Sequence, residues 1–125
     1  MDDKNPRILI VDDEADVAEM FAAFLSHSGY ETAIAHSATD ALMLARSLQF
    51  DLVLSDIGMP VMNGYELVAA LRKLPGYRST PIIAVTGFSI YDDRERSFQA
   101  GFNAHLVKPV LLEMLLNQIK RLQRK

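Results

Sequence analysis

The stretch Asp51-Leu52-Val53-Leu54-Ser55-Asp56-Ile57-Gly58-Met59-Pro60 sets the reading of the whole chain. An apolar run of strand length ends on a carboxylate, Asp56, and the breakers Gly58 and Pro60 follow at once. This spacing predicts a buried strand that delivers one acid to its C-terminal end. Asp also tightens and caps turns, so the stretch alone leaves two readings open and the flanking chain has to decide between them.

Upstream, Arg7-Ile8-Leu9-Ile10-Val11 is a continuous apolar run suited to a central strand covered on both faces, and it runs into Asp12-Asp13-Glu14. Val17, Met20, Phe21, Phe24 and Leu25 then recur at helical spacing, with Gly29 as the stop. Asp13 suits the N-cap of this helix, which accounts for one acid but not for three in succession. Glu31-Thr32-Ala33-Ile34-Ala35 alternates weakly, as an edge strand would. Ser37 with Asp40 resembles a capping box, ahead of a stripe at Ala41, Leu44, Ala45 and Leu48.

Downstream, a loop through Asn63-Gly64 leads to a third stripe, Leu67, Ala70, Leu71 and Leu74, halted by Pro75-Gly76. Residues 81–86 form a fourth buried strand ending in Thr86. Residues 92–100, from Asp92 to Ala100, are mostly polar, and a thinly packed helix anchored by Phe98 and closed by Gly101 is expected. Ala104-His105-Leu106-Val107 is a short last strand ending in Lys108-Pro109. Leu112, Leu115, Leu116, Ile119 and Leu122 give the final helix face. Strand and helix thus alternate five times without a linker or repeat, which predicts a doubly wound, five-stranded parallel α/β sheet with five helices.

The totals agree with one domain spanning residues 1–125. Half the residues (50%) are hydrophobic and 23% are charged, so the chain is globular. The absence of cysteine excludes disulfide and thiolate-metal chemistry and fits a reducing compartment. The polar start lacks a signal-peptide core, and no apolar run approaches the ~18–20 residues of a membrane span, so a cytoplasmic location is expected. A net charge of -3 argues against nucleic acid. The basic end Lys120, Arg121, Arg124 and Lys125 suits the C-terminal pole of a helix.

In parallel sheets of this kind ligands sit at the carboxyl ends of the strands. There this chain places Asp12 and Asp13, Asp56, Thr86 and Lys108. Three acids on adjacent loops repel one another unless a cation or a proton intervenes. Mg²⁺ solves this with oxygen ligands, one or two carboxylates, and retained water. Asp13 and Asp56 suit direct ligation, Asp12 ligation through water, and the Gly58 carbonyl a further oxygen, with Glu14 at the helix start. Lys108 and the Thr86 hydroxyl stand opposite. A metal, a cation, a hydroxyl donor and a carboxylate nucleophile are the parts that phosphoryl transfer requires.

The segments Ile10-Val11-Asp12-Asp13-Glu14, Leu54-Ser55-Asp56-Ile57-Gly58-Met59-Pro60-Val61-Met62-Asn63-Gly64, Pro81-Ile82-Ile83-Ala84-Val85-Thr86-Gly87 and Leu106-Val107-Lys108-Pro109 resemble the receiver domain of two-component response regulators. The pattern is most similar to receivers of hybrid sensor kinases or single-domain response regulators. The resemblance implies the flavodoxin-like strand order 2-1-3-4-5. It implies that Asp56 accepts a phosphoryl group from a histidine kinase or His-phosphotransfer protein, that Asp12 and Asp13 hold Mg²⁺, and that Thr86 and Lys108 bind phosphoryl oxygens. It also implies a cis Lys108-Pro109 bond, and a signalling module that assists its own phosphotransfer and dephosphorylation in place of an enzyme. A downstream protein is expected on the face made by the fourth helix, fifth strand and last helix.

His105 stands where many receivers carry a Tyr or Phe that swings inward, and it is read either as that switch or as a partly exposed edge residue. His27 and His36 are expected to be solvated. Gly58 and Phe88 flank the approach of hydrolytic water and place no polar group there, so slow loss of phosphate is expected. The main alternative, an aspartyl-nucleophile Mg²⁺-dependent phosphohydrolase of the haloacid dehalogenase type, would need a second Asp where Gly58 stands. A flavodoxin-like flavin binder would need hydroxyls and amides where Asp12-Asp13-Glu14 lies.

Overall fold

The computed structural model describes residues 5–87 and 94–123. Along them run β1 (Arg7–Val11), α1 (Ala15–His27), β2 (Glu31–Ala35), α2 (Ala38–Ser47), β3 (Leu52–Asp56), α3 (Gly64–Arg72), β4 (Ile82–Thr86), α4 (Arg94–Ala100), β5 (Ala104–Val107) and α5 (Leu112–Gln123). Every strand pair is parallel and the order is β2-β1-β3-β4-β5, the doubly wound sheet that the alternation and the resemblance lead one to expect. Among the described residues no helix is long and apolar enough to cross a membrane.

The uninterrupted apolar runs are explained by burial on both faces. Ile8, Ile10, Leu52, Leu54, Ile83 and Val85 pack against Phe21 and Leu25 of α1 and Leu115, Ile119 and Leu122 of α5. The alternate residues Leu9, Val11, Val53, Ile82 and Ala84 pack against Ala41 and Ala45 of α2 and Leu67 and Leu71 of α3. Each such aliphatic side chain contributes about 1.5–3 kcal/mol when fully buried. β2 closes one edge and is only partly covered, in keeping with its weak alternation.

Several local expectations differ in which residue is buried or caps a helix. Met20 is 47% exposed, and Ala18 takes the buried place on α1. Leu48 caps α2 from outside and is exposed, while Leu42 is buried. Glu14, not Asp13, is the N-cap of α1, because the Asp12 carboxylate accepts the Glu14 N–H at 2.9 Å and turns the chain one residue later. Phe98 does not anchor α4: it is 47% exposed, and the buried residue is Ser97. The expected start of that helix at Asp92 lies outside the described residues, as do Phe88, Arg124 and Lys125.

Ser37 does cap α2, accepting from the Asp40 N–H at 3.1 Å. Asn63 and Glu66 form a full capping box on α3, a signal present in the sequence as Asn-x-x-Glu and not read there. The crossover from α3 to β4 is tied by Arg72, whose guanidinium donates to the carbonyls of Tyr77 (2.8 Å), Thr80 (2.6 Å) and Gly101 (2.7 Å) and to the Asn103 side-chain oxygen (2.8 Å). The buried Tyr77 hydroxyl joins the end of α2 to β3 by donating toward Ala45 and Leu48 carbonyls and accepting from the Phe50 N–H.

Gly64 decides how closely α3 approaches the end of β3. A Cβ there would lie 2.6 Å from the Asp56 carbonyl oxygen and 2.7 Å from Cα of Ile57, both backbone atoms that cannot give way. Gly64→Ala is therefore expected to destabilise the protein by about 1–3 kcal/mol. Gly58→Ala, whose Cβ meets nothing within 4 Å, should change stability by no more than about 0.5 kcal/mol. Urea unfolding of the two variants checks this, and equal losses would show that α3 is free to shift away from β3.

Candidate functional site

The register of the sheet assembles the site. Val11 pairs with Ser55, so Asp12 and Asp56 emerge side by side at the carboxyl edge. Asp56 pairs with Val85 and Thr86 with Val107, which brings Thr86 and then Lys108 to the same edge. The Lys108 N–H also donates to the Thr86 carbonyl at 2.7 Å. Lys108-Pro109 is cis, as the resemblance implies.

Each of Asp12, Asp13 and Asp56 offers a carboxylate oxygen within 4.8 Å of the others. Asp12 is 2% and Asp56 7% exposed, while Asp13 faces solvent. The Lys108 ammonium lies 3.1 Å from Asp12, 3.5 Å from Glu14 and 3.7 Å from Asp56. Glu14 therefore does more than begin a helix: it is the outer acid of the lysine's cage. Gly58 is exposed at the start of the following loop, where a side chain would find open space. That loop includes Val61 at φ 69°, a left-handed conformation costly for a β-branched residue, and the Gly64 N–H closes it onto the Ile57 carbonyl at 2.8 Å.

Burial first, and then the Asp12 and Asp13 charges, push the Asp56 pKa up from 3.8 to about 6, although Lys108 and a backbone hydrogen bond from Gly58 oppose the rise. For Lys108 burial acts to lower the pKa, but Asp56, Asp12 and Glu14 outweigh it and the net shift is upward, keeping the ammonium charged. The donor set is all hard oxygen, without nitrogen or sulfur, and suits Mg²⁺ in preference to zinc.

The histidines divide. His27 is solvent-exposed as expected. His36 is also exposed, yet its Nδ1 lies 3.2 Å from the Asp12 carbonyl oxygen, a contact that follows from the pairing of Val11 with Ala35 one step earlier. His105 is not a partly exposed edge residue: it is 8% exposed and its Nδ1 lies 2.7 Å from the Ser97 hydroxyl.

Comparison with known proteins agrees with this geometry. The family model for the response regulator receiver domain matches residues 8–120. The transcriptional regulatory protein PrrA of Mycobacterium tuberculosis is 36% identical over 97% of this chain, which spans about half (51%) of that regulator's length. The chemotaxis response regulator CheY4 of Vibrio cholerae superposes with a TM-score of 0.88 at 34% identity, covering 95% of this chain and 99% of that one. The receiver domain of sensor histidine kinase PA1611 from Pseudomonas aeruginosa, whose structure holds a magnesium ion coordinated in the active site cleft, gives 0.89 at 30% identity, with 97% and 99% covered.

The raised Asp56 pKa makes the metal-free protein sensitive to pH in a defined direction. Between 3.8 and about 6 the folded state holds a proton on Asp56 that the unfolded chain has released, so folding stability falls as pH rises through this window. Above it the charged, buried carboxylate costs about 3 kcal/mol. Asp56→Asn should remove that slope and stabilise the metal-free protein at neutral pH by about 1–3 kcal/mol. Urea unfolding in chelator across this pH range measures both effects, and a variant no more stable than wild type would contradict them.

Proposed function

The chain belongs to the response regulator receiver domain family, and on that premise we propose that Asp56 is its phosphoacceptor, with residues 1–125 acting as a single receiver module. Receivers of this family serve two-component signalling, and the phosphohydrolase alternative is not favoured. The observation that carries the assignment is the packing of Asp56 against Asp12, Asp13 and Lys108 at one strand edge. In the transfer, an Asp56 oxygen bonds to phosphorus as the P–N bond of a phosphohistidine breaks and the donor imidazole leaves. Lys108 takes one phosphoryl oxygen in exchange for its present acids, and the Thr86 hydroxyl takes another. Asp12, Asp13, Asp56 and the Gly58 carbonyl would hold Mg²⁺, which would supply charge to neutralise the crowded carboxylates and phosphoryl oxygens. The magnesium-bearing PA1611 receiver supports this cofactor. The module assists its own phosphorylation and dephosphorylation, and the donor is a histidine kinase or His-phosphotransfer protein in the cytoplasm.

A downstream protein is placed on the face of α4, β5 and α5. Phe98, Val107, Leu111 and Met114 on these elements and the turn between β5 and α5 are all substantially exposed, which supports a protein partner there and not nucleic acid.

Incubation with acetyl phosphate and Mg²⁺ should add the mass of one phosphoryl group, mapped to Asp56 and absent from Asp56→Asn. Asp13→Ala should weaken Mg²⁺ binding. Labelling of Asp56→Asn to the wild-type level would refute the acceptor assignment. Hydrogen-exchange changes on phosphorylation should concentrate in α4, β5 and α5, and changes confined to α2 would move the partner face elsewhere.

A further inference from the structure

An acid at the N-cap of a helix ordinarily turns its side chain back to accept a backbone N–H of the first turn. Glu14 is the N-cap of α1, yet its side chain makes no capping hydrogen bond. Its carboxylate reaches across the site, with Oε1 3.5 Å from the ammonium of Lys108, 94 positions further along the chain. The backbone that presents it is fixed, because the Asp12 carboxylate accepts the Glu14 N–H at 2.9 Å. Among the described residues three acids lie within ion-pair distance of Lys108, and they differ in kind. Asp12 and Asp56 are buried and belong to the proposed metal-binding set, whereas the Glu14 side chain is 65% exposed and stands outside that set. Lys108 is therefore held between two inner acids and one outer acid, and the outer one faces the solvent from which a phosphodonor arrives.

We propose that Glu14 is a place-holding counter-ion for Lys108, displaced by the arriving phosphoryl group, and that its charge makes the site discriminate against strongly anionic phosphodonors. The proposal rests on the phosphoacceptor role of Asp56. Lys108 is the cation assigned to a phosphoryl oxygen, so a carboxylate paired with it competes for the same ammonium. With Asp12 and Asp56 engaged as metal ligands, Glu14 is the acid left to compete. Its negative charge also repels an anion at the mouth of the site, and repels a dianion more than a monoanion. The effect is modest, since an exposed ion pair is weakened by water and by salt. Glu14 is thus a positioning residue that acts through Lys108 and not on phosphorus.

Two small phosphodonors test this. Acetyl phosphate, a dianion near neutral pH, releases acetate as an Asp56 oxygen bonds to phosphorus; phosphoramidate carries one net negative charge and releases ammonia. Labelling rates are measured at saturating Mg²⁺ for wild type, Glu14→Gln and Asp16→Asn, the last removing an exposed acid from the first turn of the same helix. Mg²⁺ binding alone is followed by calorimetry. Glu14→Gln should be labelled about 2- to 5-fold faster by acetyl phosphate, with a smaller gain from phosphoramidate, and the gain should shrink as salt rises. The same variant should bind Mg²⁺ no more tightly than wild type, because it removes negative charge near the ligands. Asp16→Asn should behave as wild type, and a substitution that merely loosened the site would slow labelling. Unchanged or slower labelling of Glu14→Gln overturns the proposal, as do tighter Mg²⁺ binding by that variant, an equal gain with both donors, or the same gain in Asp16→Asn. A wild-type protein that neither donor labels defeats the acceptor assignment and this proposal with it, whereas normal wild-type labelling without a Glu14 effect defeats this proposal alone.

Discussion

Three carboxylates forced together at one sheet edge are the constraint on which the rest of this structure depends. The register of β1 with β3 leaves Asp12 and Asp56 no freedom to separate, and both are buried. Their repulsion is relieved by a proton on Asp56 or by Lys108, which stands between acids on three sides. This frustrated arrangement costs stability without metal, and the same instability gives a divalent cation something to relieve. Binding energy and strain are two descriptions of one electrostatic fact.

Rigid surroundings keep that strain from dissipating. Gly64 lets α3 press against the backbone of Asp56, the Asn63–Glu66 box fixes the start of that helix, and the two apolar layers clamp the strands from both sides. Helix α4 is the exception, attached through polar groups at Ser97 and Arg96. The structure thus sets a charged edge clamped between two apolar layers beside a helix attached largely through polar groups.

Much of this was legible in the sequence. The β-branched runs, the breakers and the polar residues that end the strands led to the sheet, its parallel pairing and the three clustered aspartates, because period and punctuation are local properties. The departures were of another kind. Phe98 was expected to anchor its helix because it is large and apolar, yet the buried residue is its neighbour Ser97. Which of two neighbours faces the sheet was decided by His105, a residue on another strand. The same holds for His36 beside the Asp12 carbonyl and for Arg72 on the carbonyls of its crossover, contacts that exist only once the register is known. The Asn63–Glu66 box is present in the sequence as Asn-x-x-Glu, but its first two residues, Asn63-Gly64, read equally well as a turn.

Arg72 has one more consequence. Its described hydrogen bonds end on backbone carbonyls and on an amide oxygen, with no carboxylate among them, and although burial lowers its pKa the guanidinium remains charged. A joint made of a permanent cation and fixed dipoles neither titrates with the acidic edge nor depends on a mobile counter-charge that salt could screen. Acidification and ionic strength can therefore retune the carboxylate cluster while the seam between α3, β4 and β5 keeps its strength, leaving the sensing end of the domain chemically insulated from the frame that carries it.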